Sequence, residues 1–179
     1  PEDTAVPPTD PPIDAKYRLG QLLFFDRELS GNRELACASC HLPGLGTSDG
    51  MSFSSGPGSE GVGPDRTFTG LPIGGRNAQS LFNLTEVSEV FWEGAVFSTP
   101  DGFSHVHADE LPLPDGLENP LAAQAMFPVA QPAEMRGFPD TTDVFGQPND
   151  LGDMGQEETH AIWDAVLARV LVFPAYAEL

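Results

Sequence analysis

The octapeptide ELACASCH, residues 34–41, decides how the chain is read. Its Cys37 and Cys40 are the chain's 2 cysteines, and His41 follows directly. Three positions apart, the thiols fall on one side of a helical turn. A bare CxxC serves as a redox dithiol or as half a zinc site, and zinc needs two further good ligands nearby. A histidine placed immediately after narrows the chemistry. The two thiols can then add to the vinyl groups of one haem while the adjacent imidazole reaches its iron. Cys37 and Cys40 are therefore expected to hold haem c covalently, with His41 as an axial ligand of the haem iron. Attachment of this kind takes place outside the bacterial cytoplasm, so the periplasm or another exported location is expected.

Composition sets the limits around this motif. A chain of 179 residues suffices for one domain with its own core, and 19 Gly and 18 Pro predict many loops. The 27 acidic against 8 basic side chains leave a net charge of -19, which argues against nucleic acid or an anionic membrane as partner. No apolar run is long enough for a membrane span. Residues 1–13, opening PEDTAVPPTDPP, read as a flexible leader and as the start of a processed mature protein.

Hydrophobic periodicity predicts a helix over Asp14–Phe25, with Asp14 as its cap and Leu19, Leu22 and Leu23 on one face. A turn at Ser30-Gly31-Asn32 leads into the cysteine motif. Residues 43–76 are rich in Gly, Ser and Pro and read as a long loop wrapping the haem. Asn77–Leu84 reads as a short helix or turn, and Val96–Asn119 as irregular. Pro120–Phe127 reads as a helix with Pro in its first turn. The clearest helix is Gln156–Val172, in which Ile162, Val166 and Val170 form one apolar row and Trp163, Leu167 and Leu171 the next, with Pro174 as its stop. No strand pattern stands out. The expected fold class is mostly α, with long irregular loops.

Four segments, in order, then carry a resemblance: LGQLLFFDRELSGNRELACASCH (19–41), GGRNAQSLFN (74–83), VFWEGA (90–95) and AAQAMFPVAQPAEM (122–135). Together they resemble the bacterial di-haem cytochrome c peroxidase family, which includes the MauG-like enzymes. The terminal RVLVFPAYAEL (169–179) resembles the helix that links that family's two haem domains. The resemblance implies a cytochrome-c-like peroxidatic haem domain over 14–155 and a linker helix over 156–179. It implies hydrogen peroxide as substrate, with distal-side roles for Gln124, Pro128 and Glu134. Glu134 would shuttle the peroxide proton, Gln124 would orient the peroxide, and Trp92 would relay electrons between haems. Asn77 matches a residue of an interdomain calcium site.

Three departures refine this expectation. Residues 42–76 contain no histidine, although many family members place a distal ligand there. The haem is thus expected to keep an open face, as in the MauG-like branch. Trp92 and Gln124 stand 32 positions apart, wider than the family spacing, because of an insertion at about 96–119. That insertion holds His105 and His107, a pair able to bind metal but expected to be solvated, and His160 is expected to be structural or exposed. Only one CxxCH is present, so a second haem c is expected on a missing domain or partner chain. Beyond it lies a periplasmic electron donor or an oxidisable protein substrate. The competing class is a non-enzymatic monohaem electron-transfer cytochrome c, whose iron would be sealed by Met51, Met126, Met135 or Met154. A haem sensor or binding module is a third reading.

Overall fold

A computed structural model describes residues 14–67 and 74–177. The expected leader at 1–13, the stretch 68–73 of the long loop and the last two residues of the linker lie outside them.

Helix α1 (Ala15–Phe25) begins as its sequence predicts, with the Asp14 carboxylate accepting the Tyr17 amide at 2.7 Å. It has no buried residue, and Tyr17, Leu22 and Phe25 are exposed. Helix α2 (Cys37–Cys40) is a single turn closed by the His41 N–H on the Cys37 carbonyl. The following loop, through residue 67, holds only short 3-10 turns at Pro43–Leu45 and Gly63–Asp65 and isolated bridges.

The segment beginning at Asn77 has no helix over 77–81, turns at 82–83 as expected, and forms a 3-10 helix at Leu84–Glu86. Its backbone groups are taken by residues 47 and 48. Ser48 Oγ donates to the Ala78 carbonyl at 2.7 Å, and the Leu81 amide donates to Thr47 Oγ1 at 2.7 Å. Pairing across to another segment removes any need for helical bonds.

The inserted region also departs from expectation. It contributes to a three-stranded antiparallel sheet, β1 (Glu89–Val90), β2 (Val96–Thr99) and β3 (Gly102–His105). Val96 lies opposite His105, and Thr99 opposite Gly102, so Pro100-Asp101 forms a two-residue turn. Gly102, at φ 137°, takes the backbone angle that a side chain would resist. Val90 and Val96 are buried on helix α3 (Pro120–Gln124) together with Ala123, and Phe91, Phe103, Leu121 and Phe127 pack around them. The insertion is thus part of the core that supports α3.

A second core joins Ala130 and Leu151 to Ile162 and Val166 of helix α4 (Thr159–Val170). The expected helix begins three residues later, after a 3-10 turn at Gln156–Glu158. Its first apolar row is buried. The second opens outward beyond Trp163, with Leu167 and Leu171 exposed. Arg169 fastens α4 to the turn before the cysteines, donating to the Ser30 carbonyl at 2.9 Å and pairing with Asp150. A short helix α5 (Pro174–Ala177) follows. Helices and loops dominate, as expected, and no helix among the described residues is long and apolar enough to cross a membrane.

Candidate haem and peroxide site

The two cysteines are free thiols, both half-buried on the single turn of α2. Burial pushes both above the ordinary thiol value. At Cys40 the Arg66 guanidinium opposes that rise, while the Asp49 and Glu134 carboxylates add to it. Two thiols on one helical turn, with the histidine next in sequence, suit addition to the vinyl groups of one ring.

His41 is aimed by two carbonyls. Its Nδ1 lies 3.0 Å from the Thr47 oxygen and 3.1 Å from the Gln79 oxygen. Both partners can only accept, so Nδ1 carries the proton and Nε2 keeps its lone pair. An imidazole held this way is a ready iron ligand, and the partner on its far nitrogen fixes both tautomer and ring orientation. Thr47 takes up a left-handed backbone, φ 61°, to present its carbonyl. That conformation is unfavourable for a β-branched residue, and such strain gathers at sites where geometry matters.

The thiol pair and the oriented imidazole together fit a c-type haem. Buried polar atoms on the surrounding loop point the same way. Ser54 Oγ, Gln79 Nε2 and Arg66 Nε find no hydrogen-bond partner among the described residues, the kind of demand a bound polar group would meet.

Glu134 sits on a five-residue π-helical turn, Pro132–Arg136, a form that tends to mark functional sites. The residue is exposed, yet enough protein surrounds its carboxyl to raise it above the usual carboxylate range, with the Glu93 charge adding to the effect. The charge of Glu134 also reaches Cys40. The carboxylate and the cysteine turn therefore share one neighbourhood, although about a hundred residues separate them in sequence.

Two glycines close on this turn. A Cβ on Gly31 would overlap the Arg136 carbonyl oxygen, and one on Gly56 would overlap that of Ala133. The Gly31 amide donates to the Met135 carbonyl at 2.8 Å. Asn149 Nδ2 donates to the Arg136 carbonyl at 2.9 Å, completing the grip. Gly31→Ala is expected to cost about 1–3 kcal/mol of stability, since the obstacle is backbone and cannot swing away. Denaturant unfolding checks this, and a shift below a few tenths of a kcal/mol would count against the grip.

Gln124 and Pro128 ride the same chain of turns. Phe127 N bonds the Gln124 carbonyl at 3.2 Å, Gln131 N the Pro128 carbonyl at 3.2 Å, and Glu134 N the Gln131 carbonyl at 3.2 Å. Trp163 of α4 holds this segment from behind, its indole N–H donating to the Met126 carbonyl at 2.8 Å. The Phe127 ring meets Phe91 edge-on at 5.9 Å and His105 at 5.5 Å. It is the joint between α3, the sheet and the turn that carries Trp92.

Trp92 is exposed, and its indole N–H donates to the Asn77 carbonyl at 3.0 Å. Beside that contact, Arg76 pairs with Glu93. Asn77 thus stands with Trp92. Among the described residues no group of three or more His, Cys, Asp or Glu is assembled to hold a metal ion.

His105 is a correction to the expectation of a solvated pair. It is 7% exposed, and burial lowers its pKa, because the hairpin turns it inward against Phe127. His107 is exposed beside Glu110. His160 is also exposed, against the Trp163 ring. Met154 packs on the α4 core and Met135 is buried in the π turn, which leaves neither free to reach an iron at His41 without unpacking.

A sequence model described as di-haem cytochrome c peroxidase matches residues 14–179. Cytochrome-c peroxidase IdrP1 of a Pseudomonas species (strain SCT) is 32% identical over 141 residues, covering 78% of this chain and 31% of that protein. Methylamine utilization protein MauG of Methylorubrum extorquens is 30% identical over 135 residues, 75% of this chain and 29% of that protein. Cytochrome c551 peroxidase of Pseudomonas aeruginosa is 34% identical over 84 residues, 46% of this chain and 21% of that protein. The chain spans less than a third of the length of each.

Proposed function

The chain belongs to the di-haem cytochrome c peroxidase family, and from that premise we propose that it is the peroxide-reacting, cytochrome-c-like haem domain of such an enzyme. The observation that carries the proposal is the aiming of His41 by two backbone carbonyls directly after the turn that bears Cys37 and Cys40.

Cys37 and Cys40 hold haem c as thioethers, and His41 Nε2 ligates its iron. Bound there, the haem supplies the redox-active iron at which peroxide is reduced. The chain's own residues do the rest. Glu134 accepts a proton from hydrogen peroxide and returns it to the departing oxygen, which avoids expelling a strongly basic leaving group. Its raised pKa brings the carboxyl closer to the operating pH, where a group can both take and return a proton. Gln124 orients the peroxide by hydrogen bonding, and Pro128 helps to shape that side of the site without adding an N–H donor. Trp92, at the surface and tied to Asn77, relays electrons inward from a second haem c on another domain or chain. Electrons come ultimately from a periplasmic donor, or from the side chain of a protein substrate. The absence of histidine from residues 42–76 favours the MauG-like outcome, in which a partner protein is oxidised. Asn77 is the proposed calcium contact, with the ion's other ligands on the second haem domain.

Stopped-flow absorption of the ferric, haem-loaded protein mixed with hydrogen peroxide tests this reading. A rapid peroxide-dependent change of the haem spectrum is expected. A spectrum inert to peroxide would instead make the protein an electron-transfer cytochrome.

A further inference from the structure

Arg66 is a buried cation that takes no part in haem attachment or in the peroxide chemistry proposed above. It is 6% exposed, and among the described residues no carboxylate lies within ion-pair distance of it. Its Nη1 donates to the Ser39 carbonyl and to Cys40 Sγ, both at 3.4 Å, and its Nη2 donates to the Gly56 carbonyl at 3.3 Å. Its Nε is buried without a partner. Burying a guanidinium without a counter-ion is costly, and neutral hydrogen bonds offset that only in part. The opposing charge nearby is Asp49, which is 0% exposed. One of its oxygens accepts the Met51 amide at 3.0 Å, and the other has no partner. The two buried charges act on Cys40 in opposite directions, and Arg66 touches its sulfur directly.

We infer that Arg66 is a positioning residue for the haem site, a buried positive charge bonded to the tethering sulfur of Cys40 that sets the reduction potential of the iron. The inference rests on the haem reading above. A fixed positive charge in a poorly screened interior disfavours the oxidised, more positive iron, so Arg66 holds the potential up. Asp49 acts in the opposite direction. Hydrogen bonding to a ligand sulfur and buried charge are general levers on such potentials. The second task of Arg66 is mechanical. Through Gly56 it clasps the loop that backs onto the Glu134 turn, so the cysteine helix and the acid–base residue share one brace.

The experiment is a spectroelectrochemical titration of the full-length protein, matured in a host that attaches c-type haem, with attachment verified by intact mass. Arg66→Gln is expected to move the ferric/ferrous midpoint of this haem to a more negative potential. Arg66→Lys, which keeps the charge, is expected to stay nearer the wild type. Asp49→Asn, which keeps the oxygen facing Met51, is expected to move the midpoint the other way. Wild-type midpoints in Arg66→Gln and Asp49→Asn with haem attached would overturn the role of Arg66 and leave the haem reading intact. If Arg66→Gln does not mature, an unmoved Asp49→Asn midpoint overturns it alone. Absence of a haem adduct from the wild-type protein would sink both.

Discussion

Glu134→Gln is expected to slow the reaction of the ferric protein with hydrogen peroxide by about 10²- to 10⁴-fold, the usual worth of a positioned acid–base group. Haem attachment should be unchanged, because among the described residues the Glu134 side chain makes no hydrogen bond or ion pair to the cysteine turn. The pH profile carries the sharper signature. The proton-accepting form is the carboxylate, so the rate should rise with pH. The protein around its carboxyl and the Glu93 charge lift the midpoint of that rise above the ordinary carboxylate range. Glu134→Gln should abolish the rise. Glu93→Gln, which removes the negative neighbour, should move it to lower pH. Stopped-flow rates across pH for the three proteins check both points, and an unchanged profile in Glu134→Gln would remove Glu134 from the chemistry.

Loss of the thiols should have an all-or-none effect. Cys37→Ser with Cys40→Ser is expected to abolish covalent haem, read as disappearance of the adduct from the intact mass. Either single change should leave one thioether at most. The thiols are half-buried on one turn of helix, so serine fits sterically and the result reports on chemistry rather than packing. A double variant that retained haem through denaturation would refute attachment at these residues.

The parts of this site that were legible in the sequence are those whose chemistry depends on side-chain identity. Cys37, Cys40 and His41 announce themselves because few other uses need that spacing. Glu134, Gln124 and Pro128 became legible only through the words surrounding them. The supports of the site were not legible. His41 is aimed by the backbone carbonyls of Thr47 and Gln79, and a carbonyl is available at every position of the chain. The π turn under Glu134 depends on Gly31 and Gly56, both far upstream of it in sequence, which no local pattern records. Arg66 looked like an ordinary loop residue until burial placed it on Cys40.

The fold divides in the same way. Helix α1 was readable from its Asp14 cap and α4 from its apolar periodicity. The sheet was not, because β1 has two residues and β2 and β3 four each, too short for alternation to stand out. The Pro100-Asp101-Gly102 turn was the available signal. Reading the hairpin as irregular also hid the burial of His105, which follows from its register opposite Val96.

An imidazole oriented through its Nδ1 proton, His41, would ligate the haem iron and leave that iron able to bind an added ligand. Electron paramagnetic resonance of the ferric, haem-loaded protein tests it most directly. A high-spin signal at rest, converted to low spin by a small added ligand such as cyanide, is the predicted result. A low-spin signal at rest, from two protein side chains bound to the iron and indifferent to added ligand, would contradict it.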